Sequence, residues 1–120
     1  MLINNIELED LDVYDADVME KVEKSIKNAI DGIQIAETEE KENHAIFRRI
    51  CDLIFKCFDD IFEEDTSKKL FNDKRNVKVC MIAFSELADE VERQKKEGME
   101  LFSSIGNKYT ANRTQRRAKK

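Results

Sequence analysis

An all-α fold, a small bundle of three main helices, is predicted by three features of this 120-residue sequence. It has no proline and only three glycines, Gly32, Gly98 and Gly106, whereas β-rich chains turn every few residues and draw on both. Apolar residues recur at spacings of three and four along three separate stretches, the signature of amphipathic helices. The apolar share of 41% is enough for a core even though 39% of the residues are charged. Three boundaries follow: residues 1–14 as an extended arm or short strand, 15–105 as the helical domain, and 106–120 as a basic, flexible tail.

Residues 2–14 alternate imperfectly, with Ile6, Leu8, Leu11 and Val13 set among acids. A short strand cannot satisfy its own backbone groups, so this arm needs a partner strand or a groove on the body. Asp15 and Asp17 are N-cap candidates for a first helix over about 16–36, and Glu20 sits in capping-box position. Its stripe is Met19, Val22, Ile26, Ala29, Ile30 and Ile33, and Gly32 costs about 1 kcal/mol inside it. Thr38, Lys41 and Glu42 read as the polar opening of a second helix. Its apolar positions run from Ile46 through Ile50, Leu53, Ile54, Cys57 and Phe58 to Ile61 and Phe62, widened by Phe47 and Phe55. So wide a stripe predicts a central helix contacted on more than one side. The acids Asp59, Asp60, Glu63, Glu64 and Asp65 gather at its C-terminal end, where the macrodipole disfavours them. Residues 65–75 read as a loop anchored by Leu70 and Phe71. A third helix carries Val77, Cys80, Met81, Phe84, Leu87, Ala88 and Val91, with Gly98 as its stop. Met99, Leu101, Phe102 and Ile105 then suggest one further amphipathic turn folded back on the body.

Several classes of function are excluded on this reading. No run of 18 apolar residues is present, so no membrane span is expected, and an acidic opening argues against a secretory leader. Cys51, Cys57 and Cys80 form no CxxC pair and, with the lone His44, lack zinc-site spacing. On a helix Cys51 and Cys57 stand roughly 240° apart, so they read as reduced core thiols in a reducing cytoplasm. No phosphate loop, nucleophile elbow or metalloprotease motif occurs, and His44 falls in a polar helix start. Adjacent Asp59 and Asp60 point about 100° apart and cannot act as a dyad. Neither enzymatic activity nor a cofactor is expected.

Charge is the informative remainder. Residues 105–120 hold six bases and no acid, leaving 15 bases against 26 acids in residues 1–104, a net of −11. Such a tail can be a disordered solubilising segment, a docking element for an acidic protein surface, or a nucleic-acid contact. The acidic body opposes the last.

The segment Phe58-Asp-Asp-Ile-Phe-Glu-Glu-Asp-Thr-Ser-Lys-Lys-Leu-Phe-Asn72, followed by Cys80-Met-Ile-Ala-Phe84, resembles small prophage-encoded proteins of low-GC Gram-positive bacteria. In these an "FDxxFGxGTxxKLFG" loop precedes a "CxxAF" helix. The opening Ile6–Val18 is similar to theirs, and Asn112-Arg-Thr-Gln-Arg-Arg117 resembles the "NRxQRR" ending of tail-assembly proteins of long-tailed phages. Glu63 or Glu64 and Asn72 replace glycines of the loop. The resemblance implies a non-catalytic tail-assembly chaperone. Such proteins coat and solubilise the helical tape-measure protein in the host cytoplasm, help recruit tail-tube protein, and are absent from the mature virion. Several copies on one partner, or a homo-oligomer, are implied, with no membrane and no nucleic acid. The alternative function is a small nucleic-acid-binding or regulatory phage protein that uses the basic tail. Under the chaperone reading, the partner-binding candidates are Phe47, Phe55, Phe58, Phe62, Leu70 and Phe71, which receive an apolar helix, and Arg113, Arg116 and Arg117, which dock an acidic neighbour.

Overall fold

A computed structural model describes the backbone of residues 1–118 and the side chains of residues 1–108. It is an all-α assembly with one minimal hairpin: β1 (Leu2–Ile3), β2 (Ile6–Glu7), α1 (Ala16–Glu39), α2 (Asn43–Ile61), α3 (Thr66–Phe71) and α4 (Val77–Ala118). The arm finds its partner strand within itself. Asn4 and Asn5 take φ of 51° and 62°, the left-handed pair that a tight two-residue hairpin demands, and asparagine tolerates this better than other side chains. Ile3 pairs with Ile6 and is almost fully buried, while Leu8 and Val13 are buried behind it. The Asn4 side chain donates to the Leu70 carbonyl at 2.8 Å and its backbone N–H donates to Glu86 Oε1 at 3.1 Å. These bonds fasten the turn between α3 and α4.

Asp15 caps α1 as expected, its Oδ1 accepting from the N–H groups of Asp17 and Val18 at 2.9 and 3.2 Å. Thr38 does not open α2; it lies in the last turn of α1 and donates to the Ile35 carbonyl at 2.9 Å. The helix passes through Gly32 because α2 crosses there. A Cβ at that position would stand 2.7 Å from Leu53 Cδ2. The propensity lost to glycine is the condition of that close approach.

Helix α2 is the middle layer. Ile50, Cys51, Ile54, Cys57, Phe58 and Ile61 are buried, with Ile46, Phe55 and Phe62 packed against them. Together these occupy roughly 180° of the helix circumference at 100° per residue. Both α1 and α4 pack on this surface and touch each other little. The 65–75 segment contains the six-residue α3, which carries Leu70 and Phe71 into the core. Asp65 and Asn72, which stand where the FDxxFGxGTxxKLFG pattern has its later glycines, hold φ of 69° and 50°. The backbone turn is therefore kept without the glycines, by residue types that reach the left-handed region at modest cost.

The largest departure from expectation is α4. Gly98 does not stop it, and Met99–Ile105 do not fold back; the helix runs straight on and the basic segment from Gly106 to Ala118 extends it. Its 42 residues span about 63 Å at 1.5 Å per residue, against an overall length of 72 Å. The radius of gyration is 19.8 Å, whereas a compact chain of this size would have about 14 Å. One helix projects from the body.

Two substitutions test these positions. Gly32→Val should cost about 1–3 kcal/mol by forcing Leu53 aside, read as a fall in denaturant midpoint, and Leu53→Ala in the same chain should recover part of it. Asn72→Val should lose about 1–2 kcal/mol against Asn72→Gly, since only the β-branched residue meets the full left-handed penalty.

Candidate protein-binding site

The residues singled out as partner contacts fall into three groups. Phe58, Leu70 and Phe71 are core, at 0%, 3% and 5% exposure, so the folded chain cannot offer them to a partner. Phe58 meets Phe71 edge-on at 5.8 Å and stacks on Phe62 at 6.2 Å, and Phe55 stacks on Phe71 at 5.1 Å. This aromatic cluster locks α3 against α2, with Phe55 and Phe62 half-buried at its edge. Phe47 lies on the same arc of α2 but one turn before the first buried residue, and is 47% exposed. The side chains of Arg113, Arg116 and Arg117 lie outside the described residues.

Two of the five acids at the end of α2, Asp59 and Asp60, are explained locally. Asp59 accepts from the Ser67 backbone N–H at 2.8 Å and from its hydroxyl at 3.0 Å, tying the start of α3 to α2. Asp60 accepts from Lys56 one turn earlier at 2.7 Å. Thr66 Oγ1 donates to the Glu63 carbonyl and accepts from the Glu63 N–H, closing the intervening turn. These contacts offset the unfavourable macrodipole position.

Two of the open apolar surfaces among the described residues bear on binding. The first is a groove between α1 and α4, about 430 Å³, that exists because α2 holds the two helices apart. Ile26 and Ile30 of α1 and Val91 of α4 form its floor, with Ile30 43% exposed. Glu23, Lys24 and Lys27 rim one side, and Glu92 and Lys95 the other. Lys24 is paired with Glu20 at 2.8 Å and Lys95 with Glu92 at 3.5 Å, so the rims are charged yet locally balanced. The second surface is the projecting part of α4, where Met99, Leu101, Phe102 and Ile105 are 65%, 61%, 70% and 56% exposed. Both were present in the sequence as stripe residues; which of them would be covered depended on helix lengths that periodicity does not report.

At the root of the projection the body makes its last hold on α4. The Tyr14 hydroxyl donates to the Gln94 carbonyl at 2.7 Å, and the Val13 N–H donates to Gln94 Oε1 at 3.4 Å. Gln94 Nε2 in turn donates to Glu90, whose carboxyl is held below its ordinary range by bonds from Arg93 and Gln94. A Cβ on Gly98 would stand 2.8 Å from the Tyr14 ring. Gly98 is thus a seat for Tyr14.

No group of three or more His, Cys, Asp and Glu side chains among the described residues is placed to hold a metal ion. The three thiols are free and buried. Burial pushes Cys57 and Cys80 up to about 12 and also raises Cys51. No described helix is long and apolar enough to cross a membrane.

Fold and surface together define a small all-α protein with apolar side chains exposed on α1 and α4. The chain belongs to the family described as "Family of unknown function (DUF6673)", which matches residues 4–120. Neither curated proteins nor solved structures give a match.

The thiols supply a test of the core. Their unfolded forms ionise near pH 9, well before the folded ones, so the unfolded state binds fewer protons above that pH. Stability should therefore fall as pH rises from about 9 towards 12, and less steeply in Cys57→Ala or Cys80→Ala measured against its own neutral-pH value. At neutral pH, alkylation of all three thiols should track global unfolding.

Proposed function

We propose that this chain is a tail-assembly chaperone of a long-tailed phage or prophage. It holds an apolar, helical segment of the tape-measure protein in the groove between α1 and α4, and several copies cover one partner. The observation that carries this reading is the groove itself: an apolar floor of Ile26, Ile30 and Val91 between charged rims, left open by the way α2 separates its neighbours. A helix laid there presents apolar side chains at one-turn intervals to the floor and polar ones to the rims. Each large side chain so covered contributes about 1.5–3 kcal/mol, enough over a few turns to keep an otherwise insoluble helix in solution. The net charge of −11 on residues 1–104 keeps such a loaded complex from associating further.

In this reading the protein is a binding protein without cofactor. It works in the bacterial cytoplasm, helps bring tail-tube subunits to the tape measure, and leaves before the virion is complete. The resemblance of residues 58–84 and of the NRxQRR ending to phage tail-assembly proteins supports the assignment to this class, and membership of DUF6673 is neutral towards it.

Co-expression with the tape-measure protein of the same genome tests the proposal. A soluble complex with many copies of this chain is expected where the tape measure alone precipitates. Ile30→Asp should weaken that complex at least about tenfold, a loss of about 1.4 kcal/mol, with helical circular dichroism unchanged. A tape measure that precipitates regardless, while this chain elutes alone, would overturn the role.

A further inference from the structure

We infer that the projecting part of α4 is a self-association element, covered by the same element of a second copy running antiparallel. This goes beyond the proposed chaperone role and rests on a different surface.

The argument starts from one stripe. Cys80, Phe84, Leu87, Val91 and Gln94 lie within about 100° of the α4 circumference and are all buried, at 0%, 9%, 0%, 5% and 8% exposure. Continued at the same spacing, that arc takes in Gly98, Leu101, Phe102 and Ile105. The pattern does not change at Gly98, where the Tyr14 ring lies against the helix, but the exposure does. Beyond it three seam residues, with Met99 beside them, stand more than half exposed within seven positions. Side chains chosen for a core here face solvent, and so concentrated an apolar patch on a single helix marks an interface.

Charge identifies the occupant. Residues 105–120 carry +6 and residues 1–104 carry −11. Two copies crossing near Phe102 place the basic end of each beside the 88–100 stretch of the other. There Asp89, Glu90, Glu92, Glu97 and Glu100 stand with Arg93, Lys95 and Lys96, a net of −2. A parallel pair would set basic end against basic end. At the crossing, an apolar pocket of about 360 Å³ between Tyr14, Met19, Gly98 and Phe102 is open to receive an incoming side chain. A second copy in the antiparallel sense brings the basic end of each chain towards the acidic body of the other.

Sedimentation equilibrium of the full chain at low and high salt is the test. The expected result is a reversible dimer of twice 14.1 kDa, loosened by salt. Phe102→Asp with Ile105→Asp should raise its dissociation constant about a hundredfold or more. Both residues lie on the projection, so helix content and thiol protection should stay as in the parent chain. Changing Arg113, Arg116 and Arg117 to Glu should also weaken the dimer, and mixing that variant with Glu92→Lys/Glu97→Lys should restore it. A monomer at every concentration, or a dimer indifferent to the Phe102/Ile105 change, would overturn the inference. A dimer tightened by salt or by the arginine change would overturn the antiparallel arrangement. Ile30→Asp should leave the dimer intact, so loss of tape-measure binding and loss of self-association can fail separately.

Discussion

Helix α2 must be apolar over about half its circumference, and the remaining architecture follows from that. Ile50, Ile54 and Ile61 on one flank and Cys51 and Phe58 on the other need separate cover, because no single helix can bury an arc of about 180°. α1 and α4 supply it from two sides, and α3 with Phe71 closes the end. The same requirement keeps α1 and α4 apart, so the three long helices enclose a core without closing into a ring. The groove between Ile30 and Val91 is the direct geometric consequence. A fourth long helix would fill it; this chain ends its internal packing with a six-residue one.

Asp59 and Asp60 do their work within a few positions of where they sit. The acids that crowd the end of α2 suggest a negative docking surface when read as charge alone. Asp59 instead terminates in two bonds to Ser67, and Asp60 in one to Lys56. What remains for long-range electrostatics is the coarse asymmetry between an acidic body and a basic end. Fields of that kind steer and orient partners, whereas local pairs mainly fix geometry.

Much of the fold was legible because each long helix carries its own period. The all-α class, the central role of α2 and the Asp15 cap could all be read from local spacing and capping chemistry. The failures share a cause. Gly98 has the composition of a helix stop, but its lack of a side chain serves Tyr14, a residue 84 positions earlier. Gly32 likewise answers to Leu53. Phe58, Leu70 and Phe71 look like a binding face until α3 is seen to fold them inward. Periodicity reports that a stripe will be covered, and by how wide a neighbour, but nothing about where the neighbour ends. The exposed surfaces of this protein are set by mismatched lengths, a 24-residue α1 and a 19-residue α2 against a 42-residue α4.

Under the two proposals, that mismatch would give α4 two roles on one continuous helix. Val91 and Lys95 belong to the groove, and Phe102 and Ile105 to the projection, only two to three turns further along the same helix. A partner bound in the groove and a second copy bound along the projection would thus be held at a separation fixed by helix rise, with no hinge between them. Repetition of that unit would array copies at regular spacing along an extended helical partner without each copy having to recognise a distinct sequence. The apolar floor would supply affinity, and the paired projections would convert weak individual sites into avid ones by raising the local concentration of the second. For a small, acidic chain with shallow apolar surfaces, such an arrangement would make coating a long partner favourable where binding of a single copy to a short helix is not.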